Sequence, residues 1–133
     1  LYHDPCHTPM KQHDPLLVAN TLMGSEVQLS TRCCGEAGTL AVARPDISTQ
    51  VRFRKLEELN LGLEKIRGGQ PEIQVKTLTS CPSCLQGLLR YRDDTGLDAD
   101  YIVIELARRL LGDSWMEDYI AHANRGGIER VLL

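Results

Sequence analysis

A chain of 133 residues with 42% apolar and 25% charged side chains has the composition of one globular domain of ordinary size, long enough to bury a core. A formal net charge of −3, with a single Phe and a single Trp, supplies neither the basic footprint nor the stacking surface of a nucleic-acid binder. No apolar run approaches the roughly 20 residues of a membrane-spanning helix, and five cysteines, an odd number without the dense spacing of a secreted disulfide scaffold, point to reduced thiols in a cytoplasmic setting.

Leu1-Tyr2-His3 reads as the end of a strand, and a chain opening there without Met is expected to be a piece of a longer one. The turn Asp4-Pro5-Cys6-His7-Thr8-Pro9 is too proline-rich for a helix or a central strand. Asp14 is placed to cap a short helix with Pro15 at its first position and Gly24 at its stop, and Leu16, Leu17, Leu22 and Met23 form its apolar side. Glu26 to Ser30 predicts a strand with Val27 and Leu29 on one face, followed directly by Thr31-Arg32-Cys33-Cys34-Gly35-Glu36-Ala37-Gly38. The longest helix is expected from Asp46 to about Arg67, ending at Gly68-Gly69. Its core face is Leu56, Leu59, Leu63 and Ile66; Arg52, Lys55, Glu58, Lys65 and Arg67 read as its wet side, and Gly62 as an internal weakness.

Glu72 to Thr79 predicts the next strand, delivering Ser80-Cys81-Pro82-Ser83-Cys84, with Pro82 starting a helix that carries Leu85, Leu88 and Leu89. The apolar run Tyr101-Ile102-Val103-Ile104, within Asp100 to Ile104, has the look of a strand buried on both faces. A helix from about Glu105 to Leu111, stopped by Gly112, and another from about Ser114 to Gly126-Gly127, carrying Trp115, Met116, Tyr119 and Ile120, complete the chain. Strands alternating with helices predict an α/β, Rossmann-like layered fold with a mostly parallel sheet flanked by helices. On that fold Cys6 follows the first strand, Cys33 and Cys34 the second, and Cys81 and Cys84 the third, so all five thiols belong at the edge where open α/β sheets bind ligands.

A vicinal cysteine pair rarely closes a disulfide, because the bridge strains the peptide between its residues. Cys33 and Cys34 read either as a buried thiol pair in a turn or as two ligands of one metal centre, to which Gly35 and Gly38 would offer unobstructed backbone N–H groups. Thiolates select zinc, copper(I) or iron–sulfur clusters. Structural zinc and a simple cubane cluster each use four ligands, one fewer than Cys6, Cys33, Cys34, Cys81 and Cys84 offer. Cys81 and Cys84 flank a predicted helix start, where the macrodipole favours thiolate. Cys81-Pro82-Ser83-Cys84 also has the form of a thiol–disulfide oxidoreductase motif, which would leave Cys6, Cys33 and Cys34 without a role. His3 and His7, beside Cys6, read as turn residues, with hydrogen-bond donation to sulfur as the alternative, and His13 and His122 as surface groups. Gly35-x-x-Gly38 lacks the dinucleotide fingerprint.

His3-Asp4-Pro5-Cys6-His7, Cys33-Cys34-Gly35-Glu36-Ala37-Gly38 and Cys81-Pro82-Ser83-Cys84, in this order, resemble the cysteine-rich CCG domain found in heterodisulfide reductase and in the iron–sulfur component of glycolate oxidase. More closely, the chain resembles the C-terminal part of large bacterial FAD-linked oxidoreductases, whose ending Gly126-Gly127-Ile128-Glu129-Arg130-Val131-Leu132-Leu133 would fit. On that resemblance, residues 1–133 form a single CCG domain. The resemblance implies a [4Fe–4S] cluster, non-cubane and held by all five cysteines in some members, and zinc in others. It also implies FAD, a ferredoxin-like part and commonly a second CCG domain elsewhere in the parent chain. The chain departs from the heterodisulfide reductase type in spacing, with a longer interval from Cys34 to Cys81 and a shorter one from Cys6 to Cys33.

Three functions follow as expectations. The first is an electron-transfer module of a flavin-linked 2-hydroxy acid dehydrogenase of the lactate or glycolate kind, cytoplasmic or held peripherally at the inner membrane by the parent enzyme. The second is a structural zinc module of the same enzyme. The third is a thiol-redox domain using Cys81 and Cys84.

Overall fold

In the computed structural model, residues 1–36 and 38–126 are described. Ala37 of the cysteine loop and the stretch 127–133, with the expected stop at Gly127, lie outside them. Four strands, β1 (Tyr2–His3), β2 (Leu29–Ser30), β3 (Lys76–Thr79) and β4 (Asp98–Tyr101), pair in parallel in the order β2-β1-β3-β4. The helices are α1 (Pro15–Met23), α2 (Leu40–Ala43), α3 (Pro45–Arg67), α4 (Pro82–Leu89), α5 (Arg92–Thr95), α6 (Ile102–Leu111) and α7 (Trp115–Gly126). The fold is therefore α/β, a parallel sheet flanked by helices. The short helices α2 and α5 were not anticipated, since four residues carry too little periodicity to read.

The chain divides into two compact units, Leu1–Ile102 and Val103–Leu133. The first holds the sheet. Successive strand residues point to opposite faces, and Leu1 and Tyr2 accordingly seed two separate cores. Leu1 joins Leu59, Leu63, Tyr91 and Leu97, with Leu56 and Ile66 of α3 packed alongside. Tyr2 joins Ala19 of α1, Leu78 and Ile102, with Val27 and Leu29 alongside. Helix α1 starts as expected: the Asp14 carboxylate accepts from the N–H groups of Leu16 (2.8 Å) and Leu17 (3.2 Å), and Gly24 ends it in the left-handed conformation. Helix α3 begins at Pro45, one residue before the expected Asp46, which sits in the first turn paired with Arg44 at 2.7 Å. Gly62 has a structural reason, since a Cβ there would stand 2.7 Å from Leu1 Cδ2. The glycine lets the helix close on Leu1.

Three expected strands change. The second keeps only Leu29–Ser30 of Glu26 to Ser30, because the Val27 N–H is taken by the Asn20 side chain at 2.7 Å instead of a ladder partner. The third is Lys76–Thr79 rather than Glu72 to Thr79; a turn brings the Ile73 N–H to the Gln70 carbonyl, and Ile73 O accepts from Arg67 Nε at 3.2 Å. The fourth is Asp98–Tyr101, and the run Ile102-Val103-Ile104 starts helix α6 instead of continuing a buried strand. Strand β4 is an edge strand with every residue half-buried, so it does not need a run that is apolar on both faces. A short apolar run cannot by itself distinguish a buried strand from a helix start.

Within the second unit, Glu105 pairs with Arg108 one turn on in α6 at 2.5 Å. Ahead of α7, the Ser114 carbonyl accepts the Asp118 N–H, and the Ser114 hydroxyl donates to the Asp118 carboxylate at 2.8 Å. No helix among the described residues is long and apolar enough to cross a membrane.

Candidate metal centre

Parallel pairing carries each strand toward the same edge, and β2, β1 and β3 lie side by side. Cys33 and Cys34 follow β2, Cys6 follows β1, and Cys81 and Cys84 follow β3. The edge strand β4 is followed by no cysteine. The chain also reverses its direction of travel across the sheet between β1 and β3, where α/β sheets open a crevice at the strand ends.

Cys34 and Cys84 are buried, Cys33 and Cys81 half-buried and Cys6 exposed, all as free thiols. The Cys34 and Cys84 sulfurs lie 3.3 Å apart. The Cys81 thiol also bears on the ionisation of Cys84, and the Cys33 thiol on that of Cys6. Burial, then the Cys34 thiol, drives the Cys84 thiol far above its ordinary range. Burial, then neighbouring Cys33, also raises Cys6. Cys81 moves the other way. Burial pushes it up, but the Cys84 and Ser83 N–H groups and the Cys84 thiol together hold it below its usual value. It is the N-cap residue of α4, with Pro82 at the first helical position, and a sulfur at a helix start is favoured as thiolate.

Gly87, one turn beyond Cys84 on α4, sets how closely the cysteine loop can approach. A Cβ there would lie 3.0 Å from Cys34 O and 3.4 Å from Cys34 Cβ, and 2.6 Å from Glu36 Cγ. Glu36 is in turn ion-paired with Arg90 at the end of α4. We expect Gly87→Ala to force Cys34 away from Cys84. The strain, of order 1–3 kcal/mol, exceeds the ~1 kcal/mol that alanine returns in helix propensity. A lower urea midpoint, together with slower reaction of the two buried thiols to form a common product with a bifunctional arsenical, checks this.

Gly35 takes positive φ, 85°, and its N–H meets Cys33 Sγ at 3.4 Å, the kind of backbone contact to sulfur expected of it. Gly38 also has positive φ, 55°, but nothing lies within 4 Å of where its Cβ would be. It serves a turn, with no close approach.

The wet side assigned to α3 is corrected at two positions. Lys55 is fully buried and Glu58 mostly so. Lys55 Nζ donates to Arg32 O and Glu58 Oε2, each at 2.8 Å, and to Ser30 Oγ, and also lies 3.1 Å from His3 Nδ1. Glu58 accepts from the Ser30 hydroxyl (2.6 Å) and the N–H groups of Thr31 (2.9 Å) and Arg32 (3.0 Å), so one carboxylate clamps the start of the cysteine loop. Arg32 Nη1 reaches Glu57 and Arg54 O on the same helix, at 2.6 Å each. Periodicity missed this because Lys55 and Glu58, three residues apart, share a stripe facing a loop rather than solvent. Burial lowers Lys55, opposed by Glu58 and then by the Cys34 and Cys33 thiols, so the ammonium senses the site directly.

Glu58 yields a pH prediction. Burial pushes its carboxyl up, but the Lys55, Ser30 and Arg32 hydrogen bonds prevail and lower it from 4.5 to about 2. A folded pKa below the unfolded one gives stability that is complete above about 4.5 and is lost as pH falls through about 2. Solvent screening of the part-exposed carboxylate leaves a contribution of roughly 1–2 kcal/mol. Urea unfolding across this window should show the loss, and Glu58→Gln should flatten it.

His3 is likewise not a turn residue. It is the last residue of β1, 1% exposed, with Nδ1 3.2 Å from Ser30 O. Its Nε2 is buried without a hydrogen-bond partner. The donor atoms of His3, Cys34 and Cys84 all lie within 4.8 Å of one another. Ligands around tetrahedral zinc stand about 3.5–3.8 Å apart, given bonds of ~2.0–2.3 Å, so these cysteines and this histidine could hold a metal ion. His7, His13 and His122 are exposed, as expected for the last two.

One family matches this chain, a domain of unknown function (DUF3400), over residues 89–133. That segment runs from the last residue of α4 through β4, α6 and α7 and contains no cysteine. No curated protein and no solved structure matches.

Proposed function

We propose that this chain is a cysteine-rich CCG-type domain holding an iron–sulfur cluster on Cys6, Cys33, Cys34, Cys81 and Cys84. In this reading it passes electrons from the flavin part of a 2-hydroxy acid dehydrogenase to an acceptor, as a cytoplasmic protein or one held peripherally at the inner membrane by its parent enzyme. The observation that carries the reading is the meeting of three cysteine turns at one sheet edge, with the buried Cys34 and Cys84 sulfurs 3.3 Å apart.

The donor set suits the group. Soft sulfur ligands outnumber what structural zinc uses, Gly35 already gives an N–H to sulfur, and Lys55 places a buried cation beside the thiolates it would neutralise. When bound, an iron–sulfur cluster supplies one-electron transfer. This chain's own residues bind it, limit water at the buried Cys34–Cys84 side, and leave Cys6 at the exposed side.

Anaerobic reconstitution with ferrous iron and sulfide tests it. Broad visible absorption and bound iron are expected. Zinc without iron in the anaerobically purified parent enzyme would instead favour the structural zinc module. Loss of reactivity confined to the Cys81 and Cys84 variants would favour thiol exchange.

A further inference from the structure

The protons around Lys55 decide the state of His3. An ammonium has three protons. Ser30 Oγ, Arg32 O and Glu58 Oε2 are three acceptors in contact with Lys55 Nζ. The Ser30 hydroxyl spends its own proton on Glu58 Oε2 at 2.6 Å. Lys55 thus has no proton left for His3 Nδ1, and the other neighbour of Nδ1, the Ser30 carbonyl at 3.2 Å, can only accept. Nδ1 therefore carries the ring proton, and Nε2 keeps a bare lone pair.

That lone pair is buried in a residue 1% exposed and has no partner, and a ring nitrogen of His3 lies with the Cys34 and Cys84 sulfurs inside a 4.8 Å cluster. The Thr77 and Thr79 hydroxyls are also buried without partners, but they are not strong metal donors. An unsatisfied buried acceptor is costly, and a metal ion would relieve it. A ring whose other N–H is held by a backbone carbonyl is the usual posture of a ligating histidine.

We propose that His3 Nε2 is a nitrogen ligand to the metal bound by Cys34 and Cys84. For a divalent ion, Cys81, at the start of the helix that carries Cys84, would complete a one-nitrogen, three-sulfur set. The proposal rests on the metal–thiolate reading above and deepens it by adding a non-cysteine donor. Ser30 and Lys55 act as positioning residues, through the ring's orientation and tautomer. Burial, with the charge of Lys55, lowers the His3 pKa to about 4, in keeping with a neutral imidazole.

Cobalt(II) is the probe, titrated without oxygen into the reduced full chain. A thiolate-to-cobalt charge-transfer band is expected, together with an imidazole nitrogen coupling in pulsed electron paramagnetic resonance. His3→Gln should keep the charge-transfer band, lose the coupling and bind cobalt at least about tenfold more weakly. His7→Gln should keep both signals. Charge transfer in the unaltered chain without nitrogen coupling would overturn the role of His3 and leave the thiolate centre standing. The same holds if the coupling survives in His3→Gln or moves with His7. If cobalt gives no charge-transfer band at all, the metal–thiolate reading falls too. If His3→Gln folds poorly, His7→Gln, His13→Gln and His122→Gln, all at exposed positions, should each keep the coupling and so leave His3 as its source.

Discussion

Replacing Lys55 by Met is expected to destabilise the protein by about 3–5 kcal/mol, the cost of removing one partner of a buried ion pair. The Lys55 side chain is wholly buried and its ammonium contacts four groups, whereas Glu58 retains 19% of its side-chain exposure. The loss should therefore fall toward the lower end of that range. Met fills a similar volume, so the penalty arises from the stranded charge and the unpaired Arg32 carbonyl, not from a cavity. The double variant Lys55→Met, Glu58→Met tests this, because removing both charges together commonly restores much of what one removal costs. Urea midpoints of the two singles and the double give the coupling. If Lys55→Met costs less than about 1 kcal/mol, water must reach the pair and the buried clamp does not exist.

A serine scan of the five cysteines should give the largest functional effects. Serine is nearly isosteric with cysteine but a poor soft-metal ligand, so the fold should persist while metal chemistry changes. Cys34→Ser and Cys84→Ser remove the two buried, touching sulfurs, and should abolish bound iron after anaerobic reconstitution. Cys81→Ser removes the thiol most disposed to ionise and should be equally damaging. Cys33→Ser and Cys6→Ser should lose the cluster or convert it to another type, detected as altered visible absorption and paramagnetic signals. Undiminished electron transfer in Cys33→Ser and Cys34→Ser would overturn the five-thiolate reading. Under the zinc alternative only variants of the ligand cysteines lower the melting temperature, four of them in an all-cysteine site and three where His3 is the fourth ligand, because zinc has no use for a fifth.

Much of this architecture is local, and local signals were readable. Asp14-Pro15 and Pro45-Asp46 mark helix starts because Pro suits the first helical position, while Gly24 and Gly68 end helices where the chain turns left-handed. The alternation of strands and helices predicts a parallel sheet, and with it that a thiol following each of three strands arrives at the same edge. Strand lengths were less legible. The Asn20 side chain claims the Val27 N–H from seven residues away, a competition that no pattern of apolar residues encodes.

The sequence by itself determined the fold class, most helix termini and the edge on which the five cysteines stand, because capping chemistry and strand–helix alternation act over a few residues at a time. Only the tertiary structure decided that β1 lies between β2 and β3, and so which cysteine turns are neighbours. It also decided that Gly87 admits Cys34 to Cys84, that a Lys55–Glu58 stripe resembling a solvated face is buried under the cysteine loop, and that a ring nitrogen of His3 lies beside the sulfurs. Each of these depends on groups more than twenty residues apart in sequence, brought together by the sheet or by α3. A charge becomes a clamp, and a histidine a candidate ligand, only when packing removes water and leaves the other group as its partner.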